Sequence, residues 1–197
     1  MDVIVVTGVR TLTPAVQVQR PDARPVEGPD ASALLSRVPG AARIGNGALS
    51  GQVQYRGLFG PRLNVRIDGQ GFASGGPNLM DPPLHYAPVP LISALEVDRG
   101  VGPVRDGPGL AGGVNAVFKR VGFEPGAGTL VPDWDLTMLG RTADDGFAAG
   151  GVVGAASDRF RFNLIGAWES GSDLTVPAGT LAGTRYERGV HGLAAGV

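Results

Sequence analysis

Residues 158–168 read DRFRFNLIGAW, and the direction in which this stretch faces decides what kind of protein the chain is. Phe160, Phe162, Leu164, Gly166 and Trp168 fall on one face of an extended strand. Arg159, Arg161 and Asn163 fall on the other, with Ile165 and Ala167 diluting its polarity. Two readings share that alternation. In a soluble antiparallel sheet the apolar face is buried. In a membrane-spanning β-strand of about 9 to 11 residues the apolar face meets lipid and the polar face lines a lumen. Periodicity alone leaves both open.

The surroundings extend the pattern. A short turn, AASDRF, precedes the strand, and the long polar run ESGSDLTVPAGTLAGTRYERG follows it, an asymmetry that fits short turns at one barrel end and long loops at the other. Residues 134–197 contain no convincing helix, and a last strand runs from about Arg185 to Val197. Three or four strands cannot close a membrane barrel, which needs about eight. An open apolar sheet would leave exposed edges, so a C-terminal truncation is expected.

Composition narrows the classes. The 197 residues allow one domain, or one small domain and part of another. A formal net charge of -1 gives no reason to expect nucleic acid or an acidic membrane surface as a partner. The 33 glycines and 16 prolines, about a quarter of the chain, are broken up by hydrophobic strands and read as turns rather than disorder. Without cysteine there is no disulfide and no thiolate metal site. The first residues lack the basic start and long apolar region of a secretory signal. No apolar run is long enough for a membrane helix.

The N-terminal half is different in kind. Residues 11–30 hold four prolines around Val16-Gln17-Val18, a linker with a short edge strand. Asp30 is placed to cap a helix over ASALLSRV, with Leu34, Leu35 and Val38 on one face and Pro39-Gly40 as its stop. QVQYRG and LNVRIDG are alternating strands, and Asp68-Gly69 closes the second in a tight turn. LISALEVDRG reads as a helical turn leading into Leu95-Glu96-Val97, and Val114 to Lys119 reads as a last strand. Together they make a mixed α+β unit ending near Arg120.

Enzyme chemistry finds little support. DVIVVTGVR, residues 2–10, resembles the first strand of a nucleotide-binding domain. No glycine follows Gly8 for the next eleven residues, however, and Pro14 stands where the helix should run. No Lys-Ser or Lys-Thr pair supplies a P-loop. Only His85 and His191 could serve a nucleophile as base, and no glycine-flanked serine forms a nucleophile elbow. The chain is expected to have no enzymatic activity.

The ordered pieces then carry a resemblance. LLSRVPGAARIGNGALSGQVQYRGLFGPRLNVRIDG followed by PLISALEVDRGVGPVRDGPGLAGGVNAVFKR resembles the plug domain of TonB-dependent outer-membrane receptors. Each short motif is weak, whereas their order across residues 31–120 is specific. The resemblance implies an N-terminal extension over residues 1–13 and an α+β plug over residues 14–122. The first antiparallel strands of an incomplete transmembrane β-barrel follow over residues 123–197. The family's barrel has roughly 22 strands and a plugged lumen.

The same resemblance assigns sites. DVIVVTG looks like the family's TonB box, so Val3, Ile4, Val5, Val6 and Thr7 would add a strand to the periplasmic domain of TonB. The run SGGPNLMDPPLHYAP is similar to the CPNRMDPPTSY loop of the copper-receptor branch, which makes Asn78, Met80, Asp81, His85 and Tyr86 the substrate-binding candidates. Met80 and His85 are the candidate metal ligands. Gly76 occupies the position of the branch's cysteine and takes away the stronger Cu(I) ligand, so no resident cofactor is expected. The implied partners are TonB, outer-membrane lipid and an extracellular substrate or metal complex, with no nucleic acid. The implied location is the outer membrane of a Gram-negative bacterium. The other functional class in play is a soluble periplasmic or surface binding module that performs no transport on its own.

Overall fold

The computed structural model describes residues 16–21, 28–100, 107 and 109–197. Its N-terminal part is built from two small sheets. The larger is a mixed sheet of five strands: β1 (Val16–Gln19), β7 (Ile92–Arg99), β8 (Gly112–Phe118), β5 (Asn64–Ile67) and β6 (Gln70–Gly71), in that spatial order. The smaller places β2 (Ala41–Gly45), β3 (Gly51–Tyr55) and β4 (Leu58–Phe59) side by side. The edge strand expected around Val16–Val18 is there, antiparallel to β7.

Local chemistry explains the turns. The β3–β4 connection Arg56-Gly57 and the β5–β6 connection Asp68-Gly69 both have positive φ at both residues, at 50° and 78° and at 50° and 79°. That is the type I′ geometry whose twist matches antiparallel strands. The motifs YRGL and RIDG are therefore two copies of one device. Asp30 caps the expected helix, its Oδ1 accepting from Ser32 N at 2.8 Å. The helix itself, Ala31–Arg37, is 3₁₀ rather than α. Gly40, left-handed at φ 82°, then turns the chain directly into β2.

Two further differences from the sequence reading have physical causes. β2 was not expected, because four of its five residues are exposed and it carries no apolar face. The strands read from QVQYRG and LNVRIDG belong to different sheets. β5 pairs in parallel with β8, Val65 opposite Val114, through a connection that no local turn signal reveals. The core between the sheets and the helix is built mainly of apolar side chains, with Leu34, Leu35, Tyr55, Leu84, Leu95, Val97 and Val114 essentially inaccessible. Each such side chain contributes about 1.5–3 kcal/mol on burial.

The C-terminal part is a wall of four antiparallel strands, each 11 residues long: β9 (Val131–Arg141), β10 (Gly146–Ala156), β11 (Arg161–Gly171) and, after a loop holding the small hairpin β12 (Leu174–Val176) and β13 (Gly179–Leu181), β14 (Tyr186–Gly196). Their order is β14-β11-β10-β9. The connection Ser157–Phe160 is tight, Ser157 Oγ accepting from Arg159 N and Phe160 N at 3.3 and 3.1 Å. At the opposite end lie the Thr142–Asp145 turn and the long 172–185 loop.

The orientation of the wall answers the question set by residues 158–168. Its apolar face points away from the molecule: Trp134 is 67% exposed, Phe162 51% and Leu193 70%. Its polar face packs on the plug, with Asn163 at 2% and Glu169 at 0%. A soluble sheet has the reverse arrangement. Aromatic side chains gather near both strand ends, Trp134, Phe160 and Phe162 at one and Phe147 and Trp168 at the other, as in the girdles of membrane barrels. Among the described residues no helix is long and apolar enough to cross a membrane.

Candidate functional site

The plug and the wall meet at two levels. At the tight-turn end, Val121 N donates to Asn163 Oδ1 at 2.6 Å and Asn163 Nδ2 donates back to Val121 O at 3.4 Å. The asparagine thus imitates a neighbouring strand for the chain leaving the plug. Beside it Lys119 Nζ reaches Asp135 Oδ1 at 2.5 Å and Thr137 Oγ1 at 2.6 Å on β9.

At the long-loop end, Glu169 and Arg188 stand directly opposite each other on β11 and β14. Arg188 Nε donates to Glu169 Oε2 at 2.8 Å, and Nη2 makes a second bond to the same oxygen. Arg188 Nη1 also donates to the carbonyl of His85. Nη2 lies 3.5 Å from the carbonyl of Pro29. The wall thereby holds plug backbone at the level of the candidate substrate loop.

That loop runs from Gly75 to Tyr86. It is pinched at its base by a two-way bridge, Gly75 N to Asp81 O at 2.8 Å and Asp81 N to Gly75 O at 3.1 Å. Gly76, Asn78 and Leu79 all have positive φ, at 71°, 54° and 58°. For the two that carry side chains this costs about 1–2 kcal/mol each. The buried amide of Gln52 offsets that cost, donating to the carbonyls of Asn78 and Leu79 at 2.9 and 2.6 Å.

The five candidate residues are only partly brought together. Tyr86 OH donates to Asp81 Oδ2 at 2.8 Å, and this bond to the carboxylate holds the phenol above its ordinary pKa. The His85 ring meets Tyr86 edge-on at 5.3 Å, and Phe72 stacks on Tyr86 at 6.3 Å. His85 Nδ1 lies 3.1 Å from the carbonyl of Leu49, an acceptor only, so Nδ1 is the donor in this bond and Nε2 is turned away from it. Asn78 is exposed, and Met80 is 49% exposed. Among the described residues no three His, Cys, Asp or Glu side chains converge on a point where an ion could sit. The candidate TonB-box residues Val3, Ile4, Val5, Val6 and Thr7 lie outside the described residues.

A cavity of about 680 Å³ opens at the same long-loop end between plug and wall, lined among others by Arg43, Ala48, Arg141, Ser172, Leu174 and Tyr186. This is the size of a small-molecule site. Arg141 is neutralised within it by Asp144, at 3.4 Å, and its guanidinium lies over the Tyr186 ring. Sequence reasoning missed Asn163 and Arg188 as contacts to the plug, and Glu169 as the partner of Arg188. The one available signal was phase, since Asn163 and Glu169 share a face of β11 with no lipid-compatible side chain at either position.

Comparison with known proteins agrees with this geometry. Residues 9–114 match the family model described as TonB-dependent Receptor Plug Domain, and the chain belongs to that family. Among solved structures, the copper transporter OprC superposes with a TM-score of 0.77 at 26% identity, covering 92% of this chain and 28% of OprC. The ferric enterobactin receptor PfeA from Pseudomonas aeruginosa gives 0.59 at 18% identity, covering 83% of this chain and 26% of that one. The FrpB iron transporter from Neisseria meningitidis gives 0.61 at 13%, covering 90% and 29%. The chain therefore spans under a third of the length of these structures. No curated protein sequence matches it.

Proposed function

We propose that this chain is the plug and the first barrel strands of an outer-membrane receptor for energised uptake of a scarce metal ion or metal chelate. The observation that carries the reading is the inverted wall, whose apolar face is exposed while Asn163, Glu169 and Arg188 are buried against the plug. Such a surface needs lipid, which argues against a soluble binding module. Substrate is taken up at the long-loop end, where Arg188 reaches both His85 of the Gly75–Tyr86 loop and Pro29 in the lining of the cavity between plug and wall. TonB grips residues 3–7, and work transmitted from the inner membrane displaces part of the plug. No bond in the substrate is made or broken.

The cargo reading rests on the loop. Met80 offers an accessible thioether, and His85 has Nε2 free for a soft metal once Nδ1 is engaged by Leu49. The likeness to OprC supports copper as the metal to try first. For the membrane reading, Trp134 and Trp168 on the outward face are the reporters. In bilayers with brominated acyl chains their fluorescence is expected to be quenched strongly. Emission unchanged from that in unbrominated lipid would sink the proposal.

A further inference from the structure

Arg188 touches two plug segments that are distant in sequence and that belong to opposite stages of the proposed cycle. Its Nη1 holds the carbonyl of His85, in the substrate-facing loop. Its Nη2 reaches the carbonyl of Pro29, one residue before the Asp30 cap of the first helix. Glu169 fixes the guanidinium from behind, with Nε and Nη2 both on Oε2. The remaining oxygen, Glu169 Oε1, is buried and has no hydrogen-bond partner. An ion pair buried with an unmet acceptor is a poor source of stability, since well-packed apolar side chains of similar volume would hold the interface as well. What it supplies is position. Two backbone carbonyls are set at fixed distances from one rigid, planar group.

We propose that Arg188 is a positioning residue that couples the N-terminal segment of the plug to the Gly75–Tyr86 loop. The inference rests on the uptake reading above. Among the described residues, tension applied at the N-terminus meets β1 first, a four-residue strand at the sheet edge paired with β7. The next point at which the described chain is tied to the wall is Pro29. Drawing Pro29 away from Nη2 disturbs the guanidinium that also holds His85, so the loop loses its support once the chain has been drawn out to the helix cap. The junction at Val121 and Asn163, on the far side of the plug, is untouched by that displacement.

The test uses the chain as it stands, in lipid nanodiscs, with neither TonB nor substrate present. Arg188→Gln is expected to raise amide hydrogen exchange tenfold or more at His85 and Ala87 and at Ser32 and Ala33, while Val121 stays protected. Arg188→Lys keeps the charge but not the fork and should protect only one of the two segments. Glu169→Gln, which leaves the guanidinium in place without its counter-charge, should give a smaller rise at both. Unchanged exchange at His85 and Ala87 in Arg188→Gln, or loss of protection at Val121 as well, overturns the positioning role. Coupling is read by pulling single molecules from residue 1. The wild type should show a rupture once about 100 Å of chain has been extended, the contour length up to Pro29, and Arg188→Gln should lack it. The same rupture in both overturns the coupling. Failure here is distinct from failure of the uptake reading, which is judged by the lipid and TonB experiments.

Discussion

Gly51 and Asp30 illustrate what single residues contribute to this plug. Gly51 N donates to Asp30 Oδ2, and a Cβ built on Gly51 would lie 2.1 Å from both Asp30 Oδ2 and Ser32 Oγ. Gly51→Ala is therefore expected to push the cap out of place and to destabilise the plug by about 1–3 kcal/mol, read as a lower denaturant midpoint. The capping role of Asp30 was legible, because an acidic residue directly before an apolar helical run has few other uses. The demand on Gly51 was not, since it arises from a contact with a residue 21 positions away. In the candidate substrate loop, Met80→Ala is expected to lower Cu(I) affinity tenfold or more in a titration of the chain. Equal binding by both forms would remove copper from consideration. Gly76 adopts φ 71°, so a cysteine there would bring about 1–2 kcal/mol of backbone strain along with its thiolate.

At the scale of elements, the 172–185 loop is organised around one carboxylate. Asp173 Oδ1 accepts from Arg185 N at 2.9 Å and Thr184 N at 2.8 Å, closing the base of the β12–β13 hairpin. The Arg185 bond is the main reason that its pKa lies below the ordinary aspartate value, with partial burial opposing it and the Thr184 bond adding to it. A depressed folded-state pKa means that the charged form favours the closed loop. Its contribution is complete above the ordinary aspartate value and is lost as pH falls through the lowered one. Amide shifts of Thr184 and Arg185 followed by NMR should hold steady down to that region and then move together. In Asp173→Asn the transition should be absent. Elements were legible where local chemistry dictates them. The alternation in β11 and the Asp-Gly turn after β5 are set by neighbours in sequence, and both are present as read. The parallel pairing of β5 with β8 is not written locally, and β2 shows no pattern because it buries almost nothing.

For the whole molecule, the decisive property is the opposition between its two surfaces, greasy where it faces outward and carrying Asn163, Glu169 and Arg188 beside a few small apolar side chains where plug and wall meet. The two faces of residues 158–168 were visible in the sequence, but their direction was not, because alternation has no sign until something occupies one side. The pairing of Glu169 with Arg188 was equally hidden, since it depends on the register of two strands joined through a long loop. The N-terminal segment supplies the test of the proposed uptake cycle. Capture of the chain by the C-terminal domain of TonB is expected in a pull-down. It should weaken markedly in Val5→Pro, because proline takes a donor from any strand added there. Undiminished capture of that variant would mean that TonB does not dock by strand addition at this segment.

The grip of the wall on the plug has a bearing on how such a molecule changes over generations. Asn163 holds the N–H and carbonyl of Val121, and Arg188 holds the carbonyls of His85 and Pro29. In each case the plug offers main chain, which every residue type shares apart from the N–H that proline lacks. At these points the barrel recognises the path of the plug rather than its spelling. Side chains of the candidate loop Gly75–Tyr86 can therefore drift without renegotiating the fit, provided that the backbone keeps its course.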